Sequence, residues 1–152
     1  AIVAVWCTNS QTHQTKVTQD FFPIWEVDYI ATWYWLKVTQ EGWPVCPFNQ
    51  DTKKQPYESI ILGQRRSREP TNEGKVAQEL PRDSKIITSI PSSIHSHKPP
   101  LIEVLRPYIN EPELNSGNCL ELFARYASPG FTSVGDEVLK LMHESLFVSV
   151  NK

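Results

Sequence analysis

Short apolar runs alternate with amphipathic stretches along most of this chain. Residues 2–6, 57–62 and 85–90 are nearly continuous in apolar and β-branched side chains, which is typical of strands covered on both faces. In residues 10–24 the apolar positions instead recur at spacings of three and four, which predicts a helix. A second helix is predicted to begin at Pro99-Pro100, because proline suits the first turn of a helix.

The remaining segments continue this alternation. Residues 26–38 are rich in aromatic and β-branched side chains and predict one long strand or a bent pair. Residues 119–125 predict a strand that ends in an arginine, followed by a short helix at 135–143 and a last strand at 146–150. Strands that alternate with helices predict a mainly parallel α/β sheet with flanking helices.

Residues 64–84 interrupt the pattern. They contain few apolar side chains and several helix-breaking residues, so we expect a mobile, exposed insertion. The same segment holds the main basic cluster, Arg65, Arg66 and Arg68. A basic loop beside a binding site could contact phosphates, although a solvated loop is the simpler explanation for these residues.

Composition is that of an ordinary globular protein. The 152 residues suit one domain, and 15 basic and 17 acidic side chains leave a net charge of only -2, so no global field attracts nucleic acid. No apolar run approaches the roughly 20 residues that span a bilayer, so we expect no membrane partner. The chain begins inside its first predicted strand without an initiator Met, so we expect an N-terminal portion upstream of Ala1.

The cysteines and histidines favour neither a disulfide framework nor a metal. Cys7, Cys46 and Cys119 are odd in number and far apart, and two of them lie in apolar runs, which favours a reducing compartment. His95 and His97 have no cysteine or carboxylate cluster nearby that would complete a zinc site. We therefore predict no metal.

The loop before Pro99-Pro100 carries candidate polar groups. Lys98 directly precedes a predicted helix N-terminus, where main-chain N–H groups and the helix dipole favour an anion, so it could bind a carboxylate or phosphate. A solvated loop lysine is the alternative. His97 could act as a base or donor, or could make an ordinary loop contact.

Two later segments add charged groups. Strand alternation places Glu121, Phe123 and Arg125 on one side of their strand, where a buried Glu121 would need a partner or an exposed strand end. Gly135-Asp136-Glu137 could present paired acceptors to a diol such as a ribose. Two acids at the start of a helix are also a common capping pattern.

Aromatic side chains are concentrated in the long strand predicted at residues 26–38. Trp33 and Trp35 alternate onto one face, and with Tyr34 and Lys37 they could stack on a nucleobase and hold it. Core packing is the simpler explanation for at least one of the two tryptophans.

Six blocks of the chain form an ordered set that is specific, although each block alone is common. They are Trp6-Cys7-Thr8-Asn9, Trp33-Tyr34-Trp35-Leu36-Lys37, Pro56-Tyr57-Glu58 with Ile61-Leu62-Gly63, Ser96-His97-Lys98-Pro99-Pro100, Glu121-Leu122-Phe123-Ala124-Arg125 and Gly135-Asp136-Glu137. In this order they resemble the eukaryotic adenine-N6 methyltransferases, the family of the mRNA adenosine methyltransferase, and most of all its methyltransferase-like protein 4 branch. The resemblance extends along nearly the whole chain.

The resemblance implies a Rossmann-like sheet that binds S-adenosylmethionine and passes its methyl group to the N6 amine of adenine. The substrate would be RNA, of the small nuclear or messenger type, or DNA, and the protein would reside in the nucleus. On the matching positions, Lys98 would hold the methionine carboxylate or the target nucleotide, and Arg125 would lie along the cofactor's sugar. Asp136 and Glu137 would take the ribose and adenine end.

On the substrate side, the resemblance places Trp35 and Lys37 near the target base, and we add His97 to this group. Tyr126 completes the cofactor-side candidates, although it stands where the family pattern has Asn. Asp136 likewise replaces an amide of the pattern and so exchanges a donor for an acceptor.

The family's catalytic Asp-Pro-Pro-Trp loop does not occur in these 152 residues. Truncation before the first strand is the simple explanation, so residues 1–152 would be the C-terminal part of one methyltransferase domain. We assign no catalytic residue within it and expect the fragment alone to be inactive. The alternative is a catalytically inactive family member that acts as an RNA-binding scaffold or heterodimer partner, which Tyr126 and Asp136 favour.

Overall fold

The computed structural model describes residues 1–49, 54–66, 78–94, 96–109 and 118–146. The chain divides into two compact units. The first unit comprises Ala1–Glu73 with Gln78–Pro91, and the second comprises Gly74–Ala77 with Ser92–Lys152. The assignment of residues 1–152 to one domain stays a prediction.

The first unit is built around a four-stranded sheet in the order β1-β3-β2-β4. Its strands are β1 (Ile2–Cys7), β2 (Val27–Lys37), β3 (Tyr57–Arg65) and β4 (Ile86–Ser89). β3 runs antiparallel to β1 and β2, whereas β2 and β4 are parallel. The ends of β1, β2 and β4 therefore lie at the same edge as the start of β3, which we call the carboxyl edge.

The prediction of a mainly parallel sheet is wrong for this unit. After β2 the chain turns straight back, because Val38 forms a bridge with Pro44 and the Val45 N–H donates to the Lys37 carbonyl over 3.0 Å. A strand that returns directly pairs antiparallel with its predecessor, whereas a parallel pair needs a long crossover. The mixed sheet with flanking helices confirms the predicted α/β class.

One continuous helical stretch follows β1 and confirms the helix predicted at residues 10–24. It consists of α1 (Gln11–Lys16), a π-helical turn (Val17–Phe21) and α2 (Phe22–Ile24). A π turn shifts the side chains of one helical segment relative to the next.

The helix buries its apolar side against one face of the sheet. Val17 and Phe22 join Cys7, Val27 and Ile61 in a single buried cluster. Gly63 is part of this packing, because a Cβ there would lie 2.7 Å from Phe22 Cε2 and 2.4 Å from Val27 Cγ1. Gly63 follows the strand predicted at residues 57–62, but it lies inside β3 and is a position of close approach.

The opposite face of the sheet is also covered. Trp33 pairs with Ile60 across β2 and β3, and both are almost fully buried. The next pair on the same face joins Trp35 to Glu58. Because one face of the long strand is buried and the other is half-buried, its aromatic content reflects core packing as well as surface chemistry.

The second unit contains a two-stranded parallel sheet, β5 (Cys119–Leu122) with β6 (Phe131–Val134). Its helices are α3 (Leu101–Leu105), which continues into a 3₁₀ turn at Arg106–Tyr108, and α4 (Val138–Leu141), which is followed by a 3₁₀ turn at Glu144–Leu146. These elements confirm the helices predicted after Pro99-Pro100 and near 135–143. Of the last predicted strand, Leu146 lies in the 3₁₀ turn and residues 147–150 lie outside the described residues.

The predicted insertion at 64–84 begins too early, because β3 continues through Gln64 to Arg65. Residues 67–77 lie outside the described part of the chain. Beyond them Leu80 is buried, so the end of this segment packs onto the first unit. In the ranges that the structure describes, no helix is long and apolar enough to cross a membrane.

Candidate functional site

The carboxyl edge of the four-stranded sheet carries the first group of candidate residues. Lys37, at the end of β2, donates from Nζ to Glu58 Oε1 over 2.5 Å. The Lys37 N–H also donates to the Pro56 carbonyl over 2.8 Å, which fixes the register of the two strands here. Each of the two charged side chains is 24% exposed, so the ion pair is half-buried and its headgroups are held in place.

Trp35 lies beneath this ion pair and belongs to the core. The ring is 3% exposed, and Lys37 Nζ lies 4.9 Å from its centroid. Its Nε1 donates to Ser89 Oγ on β4 over 2.8 Å, and Trp6 packs against it edge to face at 5.8 Å. Trp33 is buried as well. The structure thus gives Trp35 a supporting position beneath the half-buried Lys37 side chain.

Two amide side chains hold the start of β3 next to Glu58. Asn9 Nδ2 donates to the Tyr57 carbonyl over 2.8 Å, and Gln14 Nε2 donates to Ser59 Oγ over 3.1 Å. These bonds tie the segment after β1 to the residues on both sides of Glu58, through the Tyr57 carbonyl and the Ser59 hydroxyl. No role was predicted for Glu58 or Asn9 from the sequence, although both lie in the family blocks, because their partners depend on the strand register.

In the second unit, the Arg125 guanidinium joins three loops. Nη1 donates to Ser96 Oγ over 2.8 Å, and Nε is paired with Glu137 Oε2. Ser96 lies in the loop before α3, Arg125 follows β5, and Glu137 follows β6. Because a guanidinium presents its donors in a rigid planar fork, this contact fixes the three loops relative to one another.

His97 and Tyr126 meet in the same unit. Their ring centroids lie 5.1 Å apart with the planes inclined by 56°. The His97 N–H donates to the Ile94 carbonyl over 3.2 Å, and Ser96 before it has a left-handed φ of 64°. This tight loop leads directly into Lys98, so His97 and Lys98 occupy the same loop as Ser96.

The Gly-acid-acid turn is built by close backbone packing. A Cβ on Gly135 would lie 2.0 Å from the Ala124 carbonyl oxygen, so only glycine fits there. At the same close contact, the Ala124 N–H donates to the Val134 carbonyl over 2.9 Å. Glu137 precedes α4 but makes no side-chain capping bond, and its carboxylate is paired with Arg125 instead. Asp136 is exposed.

The predicted alternation beyond β5 is wrong. The strand ends at Leu122, and Phe123 has a left-handed φ of 59° and is 90% exposed. A left-handed residue breaks the two-residue side-chain period, so Ala124 turns inward and is buried. Glu121 stays on the strand and accepts a hydrogen bond from Ser128 Oγ over 3.3 Å.

The prediction was that the basic cluster is a solvated loop or lies beside a binding site, and the structure places Arg65 away from Lys37 and Glu58. Arg65 ends β3, whereas Glu58 stands near its start, so the two lie at opposite edges of the sheet. Arg68 lies outside the described residues. In the described ranges, no group of three or more His, Cys, Asp or Glu could hold a metal ion.

Comparison with known proteins decides the family. The MT-A70 family model matches residues 1–137. The chain belongs to the MT-A70 family. This membership confirms the resemblance carried by the six sequence blocks, which extend over the same part of the chain.

Several curated relatives match along nearly the whole chain. It is 42% identical over 151 residues to the mouse N(6)-adenine-specific methyltransferase METTL4, covering 98% of the chain and 31% of that protein. A Caenorhabditis elegans DNA N6-methyl methyltransferase is 35% identical over 150 residues, covering 97% and 37%. The N6-methyladenosine RNA methyltransferase MTA1 of Cryphonectria parasitica is 32% identical over 151 residues, covering 97% and 40%. The chain therefore spans about a third of the length of these relatives.

Proposed function

We propose that the intact protein transfers a methyl group from S-adenosylmethionine to the N6 amine of adenine in a nucleic acid. The observation that carries this proposal is the Arg125 junction, where one guanidinium ties together Ser96 and Glu137 from two other loops. All three loops belong to the ordered family blocks. Relatives named for N6-adenine methylation of DNA and of RNA support the same reaction.

The polar side chains of the second unit fit the ends of S-adenosylmethionine. Glu137 is held by Arg125, and with the exposed Asp136 it offers carboxylate oxygens to a pair of ribose hydroxyls. Lys98 adds a cation that suits the methionine carboxylate. When bound, the cofactor supplies an electrophilic methyl group on a sulfonium. Arg125 acts here chiefly by orienting Glu137. Tyr126 lies directly after Arg125 and contacts His97.

The Lys37–Glu58 pair at the carboxyl edge suits the adenine side of the reaction. Glu58 can accept a hydrogen bond from the exocyclic amine, and Lys37 holds its carboxylate in one place above Trp35. Such contacts orient the amine nitrogen, which loses one proton to solvent once it has accepted the methyl group. Catalysis of this kind rests on positioning rather than on a protein nucleophile. His97 remains a proposed substrate contact.

The decisive experiment measures cofactor binding and methyl transfer with the intact protein. We expect S-adenosylmethionine to bind by calorimetry, and Arg125→Ala to weaken that binding at least about tenfold, because charge-assisted contacts contribute about 1.5–3 kcal/mol. Arg106→Ala is the matched control, since Arg106 is an exposed arginine paired with Glu103 at 3.2 Å in the same unit. Equal affinity of both variants and the wild type would remove the cofactor assignment.

A non-catalytic family member is the second candidate, and Tyr126 favours it. The ring of Tyr126 is packed against His97, at a position where the family pattern has an amide that could bind ribose hydroxyls. A protein of this class would bind RNA or DNA oligonucleotides without binding S-adenosylmethionine.

The type of substrate and the location of the protein are part of the first proposal. Methylation assays with RNA and DNA oligonucleotides that each contain one adenine distinguish RNA from DNA as the substrate. We also propose that the protein resides in the nucleus.

A further inference from the structure

A concavity of about 440 Å³ lies at the amino edge of the four-stranded sheet, opposite the carboxyl edge. We call it the arginine concavity. Three arginines contribute to its lining: Arg65 at the end of β3, Arg66 directly after it and Arg82 in the segment before β4. Asp28 and Tyr29, at the start of β2, line it as well. The sequence pattern pointed to a basic segment but could not show that Arg82 joins it.

The arginines at the end of β3 are held in place by the fold. Arg66 donates from Nε and Nη2 to a single oxygen of Asp28, over 2.9 and 2.7 Å. The main chain is fixed too, because the Arg65 N–H donates to the Ala1 carbonyl and the Arg66 N–H to the Glu26 carbonyl, both over 3.0 Å. A guanidinium fixed in this way loses less conformational entropy when it binds a ligand.

Positive charge exceeds negative charge in this cluster. Glu26 lies 3.8 Å from Arg65, and Asp28 is bound to Arg66. Arg82 makes no ion pair with any residue in the described part of the chain. Two carboxylates therefore orient two of the arginines, and the third arginine adds a cation to the same concavity. A planar fork of N–H donors matches two oxygens of a phosphate.

The arginine concavity is separate from the carboxyl edge, where Lys37 and Glu58 lie. Glu58 and Arg65 belong to the same strand and are seven residues apart. At about 3.3 Å per strand residue, their main chains are separated by about 23 Å. At about 3.4 Å per nucleotide along a helical strand, this distance corresponds to about seven nucleotides.

We propose that the arginine concavity binds phosphate groups of the substrate strand, several nucleotides away from the target adenine. The inference rests on the proposed function, because the concavity would bind the part of the substrate strand that lies beyond the target adenine. Tyr29 supports a nucleic acid over an acidic protein segment, because this residue is 47% exposed and carries an aromatic ring on which a base can stack.

The test compares binding of two single-stranded oligonucleotides to the intact protein by fluorescence anisotropy. The short one has about five nucleotides around a central adenine, which cannot span the distance, and the long one has about 25. We expect the double variant Arg66→Gln/Arg82→Gln to lose about tenfold in affinity for the long strand and less than about twofold for the short one. The slope of log affinity against log salt should shrink by about 1.4, for two lost phosphate contacts.

Arg106→Gln is the matched control, because it removes one exposed positive charge outside the concavity. Equal losses for both lengths, no loss at all, or the same loss in the control would overturn the proposal. The concavity would instead be assigned to a protein partner if the wild type bound an acidic peptide more tightly than the long strand and the double variant did not. Phosphate binding by the concavity is measured separately from methyl transfer. If the protein methylates neither oligonucleotide, the proposed function is refuted, but the binding comparison still tests the concavity.

Discussion

Lys37 Nζ lies 2.5 Å from Glu58 Oε1, and the two residues come from neighbouring antiparallel strands that converge at the carboxyl edge of the sheet. The pair is half-buried and rests on the ring of Trp35. Removal of one member would leave the other charge partly buried without its partner, which is costlier than the loss of an exposed ion pair. A change to either side chain should therefore also affect the other one, whatever function this edge of the sheet has.

We predict that Lys37→Met or Glu58→Gln lowers kcat/KM for methyl transfer by the intact protein about 100-fold, because each change releases the group that positions the amine. Affinity for S-adenosylmethionine should stay within about twofold, since neither residue lies in the cofactor-side group. Lys16→Met is the matched control, because Lys16 lies over the Phe21 ring on the helix. Full activity of both variants at the carboxyl edge would contradict the assignment.

The Asp28 carboxyl should titrate abnormally. Hydrogen bonding from Arg66 lowers the pKa of this carboxyl from its ordinary value. Because the pKa is depressed in the folded state, the stabilisation from this pair is present above the ordinary carboxyl pKa and is lost as pH falls through the depressed value. The contribution is small, since both side chains are more than half exposed.

Arg66→Gln should therefore raise the Asp28 pKa towards its ordinary value, as followed by NMR titration of the carboxyl carbon. Arg65→Gln is the control and should leave the Asp28 pKa depressed, because Arg66 is the arginine that donates to this carboxyl. The same Asp28 pKa in wild type and Arg66→Gln would mean that the ion pair does not persist in solution.

The Cys7 and Cys46 thiols should differ in reactivity. Burial raises the pKa of the Cys7 thiol, which is only 8% exposed, whereas Cys46 is less buried. Only the thiolate is nucleophilic, so both effects slow the reaction of Cys7. We expect iodoacetamide at neutral pH to alkylate Cys46 at least about tenfold faster than Cys7, measured by mass spectrometry of proteolytic peptides. Equal rates would show that β1 and its helix open readily.

Gly135→Ala should destabilise the second unit. The added methyl group would collide with the Ala124 carbonyl oxygen, and relief of such a contact requires a backbone shift that costs about 1–3 kcal/mol. Thermal unfolding of the intact protein measures the effect. Asp136→Ala, an exposed position in the same turn, is the control and should change the unfolding temperature little. An unchanged unfolding temperature in Gly135→Ala would exclude the close approach to Ala124.

Local patterns identified most of the elements. The helix at residues 10–24 and the strand at 26–38 follow from spacing and side-chain type, which act over a few neighbouring residues. The direction of β3 did not follow, because it depends on the return of the chain after Lys37 and not on the composition of either strand. The early end of β5 was missed for a similar reason, since nothing in its sequence marks Phe123 as left-handed.

The sequence by itself determined the family, most of its elements and the candidate residues within each block, because these depend on residues close together in the chain; the strand β6 was not predicted. Only the tertiary structure decided the partners: Glu58 for Lys37, Ser96 and Glu137 for Arg125, and Arg82 for the arginines of β3. The physical reason is strand register. A side chain's contacts depend on which distant strand or loop packs beside it, and a shift of one residue would turn it to the opposite face.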